Sequence, residues 1–360
     1  MKKALAALLI LSFALCSGCK ARGGIYTNYR DIAELLVVQT MGLDADKGGI
    51  TVSVSAGSDE EDEKTVCISA SGETLTEAQE KLQNKCGGKI LFFGHVSYIV
   101  LGDGLLQSGI SRCLRSVERD AALRLCIPVV AVSGGSAQSI IENDENDVTR
   151  LLGALKEDQR RRGDIRLFTL AETIASIDLN GSALMFSVKS DDNNLLPDGY
   201  EIIKDGAAIG RISPDAALGA GIILGDTGSV PVSVGGSTLQ IDKSKCDISP
   251  IFSGSKLRGI NFSVKLDASV LESDGESSPE ELEKSLEHEV RRRIDEVMAS
   301  EINSGCDFLH LGSSVEMKRP ITLHGYCEDF YKSLGSIAYS VEVSAKLDRS
   351  FHLDMQEARP

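Results

Sequence analysis

Apolar positions along this chain recur with two spacings, and their order predicts most of its elements. Leu35 to Leu43 form a nearly continuous apolar run, Lys47-Gly48-Gly49 mark a turn, and ITVSVSA alternates with period two, which together read as a hairpin. TVCISASG reads as a third strand. In TLTEAQEKLQNK, Thr74 stands three residues before Glu77, and Ala78 and Leu82 follow at helical spacing, so a helix over 74–85 is predicted. ILFFGHVSYIVLG reads as one long strand. GLLQSGISRCLRSVERD reads as one amphipathic helix with Leu106, Ile110, Cys113, Leu114 and Val117 on its apolar side. RLCIPVVAVS is a buried strand, SAQSIIEN opens a helix, and a further helix runs from about Thr169 to Ile177 after the polar stretch EDQRRRGD.

The second half changes character. A turn-rich break at 190–199 reads as a domain boundary, and EIIKDGAAIGRIS as a hairpin around Asp205-Gly206. GAGIILG, VPVSV and STLQI read as short strands. In SKLRGINFSVKLDASVLES, Ile260, Phe262, Val264, Leu266 and Ala268 share one face of a long strand. The longest helix starts at Ser278-Pro279, with Glu281 placed for a capping box, and stops at Gly305. Leu282, Leu286, Val290, Ile294 and Val297 form its buried stripe. SLGSIAYSVEVSAKL supplies a closing strand. Strands mixed with helices in this order predict an α+β fold, with mixed sheets and helices packed on them. The divisions expected are 31–190, an N-terminal mixed α/β domain; 197–255, a middle β-rich domain; and 256–360, a C-terminal α/β domain with the long helix.

The opening MKKALAALLILSFALCSGCKARGG follows a different grammar. Lys2 and Lys3 precede an apolar stretch too short to span a bilayer, which needs roughly 20 residues. Ser17 and Gly18 then stand before Cys19, the pattern of a lipoprotein cleavage box, with Cys16 where leucine is usual. Residues 1–18 are expected as a signal peptide, Cys19 as a diacylglyceryl cysteine, and the Gly-containing 19–30 as a tether. Two acyl chains hold a protein on a membrane where one does not.

The chain carries a formal net charge of −15, and loss of Lys2 and Lys3 takes it to −17. Such a surface repels nucleic acid, which is excluded as a partner of the body, and leaves membrane attachment to the lipid. Besides Cys16 and Cys19, seven cysteines are scattered without any C-x-x-C pair, so neither a zinc site nor a redox motif is indicated. The acidic GSDEEDEK lacks calcium-loop spacing. SGSK at 253–256 matches S-x-x-K without its companion motifs, and no phosphate-binding loop or nucleophile elbow is present. No metal, cofactor or catalytic residue is expected. The Arg160–Arg162 run reads as a solvated face.

Several blocks resemble one family. RDIAELLVVQTMGLDAD resembles the opening pattern of the Ger(x)C spore germination lipoproteins, the C subunits of germinant receptors. KILFFGHVSYIVLGDGLLQSG resembles their L-F-x-G-H block through Gly94 and His95. SVERDAALRLC resembles an R-D-x-x-x-R segment through Arg119, Asp120 and Arg124. DGAAIGRIS resembles their central hairpin, and Asp307 to Gly312 their D-F-L-x-L-G ending. The chain departs from the family at Lys20, where an aromatic residue is usual, and lacks the tryptophan common near the C-terminus. The resemblance implies three mixed α/β domains in an elongated lipoprotein, no known catalysis, and assembly with two integral membrane receptor subunits. It places the protein on the outer face of the cell membrane, which becomes the inner membrane of the dormant spore, where nutrients trigger germination. The alternative reading is a solitary extracytoplasmic substrate-binding lipoprotein feeding a transporter; an exported hydrolase is opposed by the empty motif search. His95, between two apolar runs, is expected to be structural, its ring bridging neighbouring backbone or the Arg119, Asp120 and Arg124 charges.

Overall fold

The computed structural model describes residues 34–57, 65–143, 147–162, 166–191, 194–225, 227–253, 256–273, 275, 277–318, 330 and 334–348. The signal segment, Ser17, Gly18, Cys19 and the tether lie outside the described residues, as does Cys327. The fold is α+β, with two mixed sheets.

The first sheet begins as an antiparallel meander of β1 (Leu35–Asp46), β2 (Gly49–Gly57) and β3 (Val66–Gly72). On its other edge β1 pairs in parallel with β4 (Ile90–Phe92) and then with β5 (Tyr98–Leu101). β6 (Val129–Val132) and β7 (Ser182–Asp191) continue the parallel set, and β8 (Asn194–Lys204) and β9 (Ala207–Ile212) close it antiparallel. The path is β3-β2-β1-β5-β6-β7-β8-β9, with β4 beside β1.

Alternation assigns the faces. Ile99 and Leu101 point to a core built with α1 (Leu75–Gln83), α2 (Asp103–Ser108), α3 (Ser111–Glu118) and α6 (Leu170–Asn180). Tyr98 and Val100 point to the opposite core, built with α4 (Ala137–Ile141), α5 (Val148–Arg162) and α7 (Pro214–Leu224). That second core runs on without a break into the second sheet. There β10 (Val230–Val234), β11 (Ser237–Ser253), β12 (Lys256–Glu272) and β13 (Ala338–Leu347) pair in that order, against α8 (Pro279–Ser304). The short α9 (Leu311–Lys318) follows.

Several expectations hold in detail. Thr74 caps α1, Ser278 and Glu281 form the capping box of α8, and the expected faces of β12 and α8 are buried. Asp205 and Gly206 both take positive φ, 49° and 84°, as a tight hairpin between β8 and β9 requires.

Others are corrected. The single helix over 104–120 is two, divided at Gly109 with φ 114°. EDQRRR is not an isolated polar segment but the end of α5. GAGIILG is not a strand: Ser213 accepts from the Ala216 N–H at 3.1 Å, Pro214 opens the helix, and α7 results. A Cβ on Gly219 would lie 2.6 Å from the Arg293 carbonyl oxygen, so this glycine lets α7 cross close to α8. Across the boundary expected at 190–199, β7 and β8 pair from Ser182 and Lys204 out to Asp191 and Asn194. The segment 197–255 therefore has no sheet of its own. Its strands divide, β8 and β9 completing the first sheet, β10 and β11 opening the second.

Candidate functional site

The expected long strand through His95 is interrupted for a reason of register. β1 pairs Val37 with Phe92 and then Thr40 with Tyr98, so residues 93–97 lie opposite only Val38 and Gln39. The surplus chain leaves the sheet as a 3₁₀ turn over Phe93–His95. His95 is consequently exposed, not built into the core. Its ring packs on Phe92, with centroids 5.5 Å apart and planes at 48°. Phe92 is itself 39% exposed. A Cβ on Gly94 would lie 2.7 Å from the Phe92 ring, so glycine permits the ring to lie across the turn.

Arg124 reaches the same turn, its Nη2 donating to the Val96 carbonyl at 3.3 Å. Asp120 braces the approach to β6: Oδ1 accepts from the Ala122 N–H at 3.0 Å and Oδ2 from Gln79 Nε2 of α1 at 3.4 Å. Arg119 is exposed at the end of α3. The structure thus gathers Gly94, His95 and Arg124 at the N-terminal edge of the parallel strands. The expected bridge from the His95 ring to the Arg119, Asp120 and Arg124 charges is absent among the described contacts; Phe92 is its partner instead.

Two other motif blocks resolve into buried carboxylate caps, which the sequence reading did not single out. Asp44, at the C-terminal end of β1, accepts from the Ala137 and Gln138 N–H groups, each at 2.8 Å, and so holds the start of α4. A Cβ on Gly42 would meet Ile141 Cδ1 at 2.5 Å, and one on Gly102 would overlap the Asp44 carboxylate. Burial pushes the Asp44 carboxyl up against the opposing pull of those two N–H groups. The signal was the Gly-x-Asp of MGLDAD before a predicted turn.

In the DFLHLG block, Asp307 accepts from the Leu311 and Gly312 N–H groups at 2.6 and 2.8 Å and caps α9. His310, at φ 57°, points back to α6. Asn180 Nδ2 donates to Nδ1 at 2.6 Å, which leaves the proton on Nε2 to donate to Ser176 Oγ at 3.3 Å. Burial lowers the His310 pKa below the ordinary value, keeping the ring neutral.

A cleft of about 440 Å³ opens between α5, β8 and the start of α7, lined by Leu151, Leu155, Phe186, Leu195 and Tyr200 with Asp158 and Arg162. Among the described residues no three His, Cys, Asp or Glu side chains converge as metal ligands, and no helix is long and apolar enough to cross a membrane.

Two family profiles match consecutive parts of the chain: the spore germination protein N-terminal domain over residues 28–189, and the spore germination B3/GerAC-like C-terminal domain over 198–350. The chain belongs to the Ger(x)C family of spore germination proteins. The boundary between the profiles falls in the β7–β8 hairpin. The crystal structure of the GerBC protein shares the fold, with a TM-score of 0.59 at 18% identity over 85% of this chain and 96% of that one. No similar sequence was found among curated proteins. Membership in this family makes the chain a germinant receptor component acting in spore germination.

Proposed function

We propose that this protein is the lipid-anchored C subunit of a nutrient germinant receptor, held on the outer face of the membrane by Cys19 and assembled with two integral membrane subunits. It acts by contact, not by catalysis. The observation that carries this reading is the exposed turn at Phe92–His95. A motif histidine on the surface, held open by Gly94 and steadied by Arg124, has an outward-facing purpose that packing does not supply.

The chain path supports the same view. The turn lies beside Val37, eighteen residues after Cys19. A fully extended linker of that length spans at most about 60 Å. The N-terminal edge of the parallel strands is therefore tethered within reach of the bilayer, where subunits embedded in it present their loops.

The test is a spore carrying Cys19→Ala, followed by dipicolinate release across a nutrient panel. Loss of response to one nutrient class, with normal sporulation and normal response to others, is the expected result. Full response to every nutrient, in a strain stripped of other receptors, would overturn the anchored-subunit reading.

A further inference from the structure

At the C-terminal end of α8 a buried acid without a capping role, Glu301, stands beside Asp307, the cap of α9. Glu301 and Asp307 are both fully buried, at 0% exposure. Asp307 has its two N–H donors from α9. Glu301 has no hydrogen bond of strict geometry at either carboxyl oxygen; the Leu309 N–H acts on it more weakly than burial and the Asp307 carboxyl beside it. A buried carboxylate without donors next to a second one is strongly disfavoured. The pair therefore keeps one proton, and the uneven supply of donors places it on Glu301 and the charge on Asp307. Burial and the neighbouring acid hold Glu301 well above the usual carboxylate range.

The segment wrapped over this pair ties the two sheets together. Gly305 turns the chain out of α8 with φ 58°, and Lys204, at the end of β8, donates to the Ser304 carbonyl at 2.9 Å. Cys306 bonds Ser304 Oγ at 3.0 Å, and His310 reaches Asn180 and Ser176 of α6. Residues 305–310 thus form a strap from the long helix of the second sheet to β8 and α6 of the first. The charged and titratable groups around it are Asp307, Cys306 and His310 on the strap, Lys204 and Asp205 at the β8–β9 turn, and Arg166 facing His310.

We propose that Glu301 and Asp307 form a proton-linked latch: with one shared proton the strap stays seated, and loss of that proton to water releases it and loosens the coupling between the sheets. The sign follows from linkage. Glu301 keeps its proton in the seated form and loses it readily once the strap lifts, so rising pH favours the lifted form. His310, whose pKa is lowered by burial, acts in the opposite sense, but only near and below its ordinary value of 6.5. Above that, the slope belongs to Glu301 until the Cys306 thiol, which burial also pushes up, adds to it in the same sense near its ordinary value of 9.0.

Hydrogen exchange on the full-length chain in detergent tests this. The amides to follow are Leu311 and Gly312, which donate to Asp307, with rates corrected for intrinsic base catalysis. Above about pH 7, one linked proton raises the opening constant by up to roughly tenfold per pH unit, until Glu301 ionises in place. Glu301→Gln, isosteric with the protonated acid, should remove that slope while leaving protection at neutral pH. A pH-independent opening constant in the native chain, or an unchanged slope in Glu301→Gln, would overturn the latch. Should Glu301→Gln fail to keep its native circular dichroism, Asp307→Asn serves. Removing the neighbouring charge lets Glu301 ionise in place earlier, so the slope must level off at lower pH, and an unmoved profile refutes the proposal.

Discussion

Replacing His95 with alanine separates a contact role from a structural one, because the two make opposite demands on stability. The ring is exposed, and its neighbour Phe92 is 39% exposed. Aromatic pairs contribute about 0.5–1.5 kcal/mol beyond area burial when well enclosed, and this open pair, 5.5 Å between centroids, belongs at or below the bottom of that range. Surface substitutions away from caps and cores generally stay within about 0.5 kcal/mol. His95→Ala is therefore expected to leave the urea midpoint of the isolated full chain nearly unchanged. Val96→Ala, one residue on at 0% exposure, removes two buried methyl-sized groups and should lower stability by about 1.5–2 kcal/mol. In spores holding equal amounts of each protein by immunoblot, His95→Ala should slow nutrient-triggered dipicolinate release. A midpoint shift approaching that of Val96→Ala would refute the surface assignment. Unimpaired release with an unchanged midpoint would refute the contact role.

Two further outcomes concern α8, one at its crossing with α7 and one within it. Gly219→Ala places a Cβ 2.6 Å from the Arg293 carbonyl, a backbone atom that cannot turn aside, and should cost about 1–3 kcal/mol by urea denaturation; an unchanged midpoint would show that the helices do not cross where described. Glu289, beside Arg292 and Arg293, has its pKa lowered to about 2 from 4.5. Its contribution is present above the ordinary value and fades as pH falls toward about 2, so Glu289→Gln should flatten that part of the acid limb in a pH series of denaturation curves; an identical limb would remove the ion pairs from the account.

Where one periodicity governed a segment, the sequence was sufficient to read it. β12 alternates because one face is buried in the core it shares with α8 while the other is more open, and α8 carries a cap, a stripe and a terminal glycine. The misreadings share a cause, which is that the deciding partner lies far along the chain. GAGIILG is apolar on all sides because α7 is enclosed on all sides, and periodicity cannot tell such a helix from a buried strand; Ser213-Pro214 was the local clue. Apolar flanks implied a core position for His95, but the flanks belong to two strands that share β1 out of register.

The motif residues divide along the same line. Asp44 and Asp307 each sit at 8% exposure or less and receive two backbone N–H groups, so helix capping accounts for their burial. Gly42, Gly94 and Gly102 are accounted for by the close approach of Ile141, Phe92 and Asp44. His95 is the residue left over: it caps nothing, fills nothing and faces outward. Glu301 is left over in the opposite sense, enclosed with no hydrogen bond of strict geometry at its carboxyl oxygens. An outward histidine near the tethered edge and an unsatisfied acid under the strap between the sheets are where this fold has room for a partner and for a change of state.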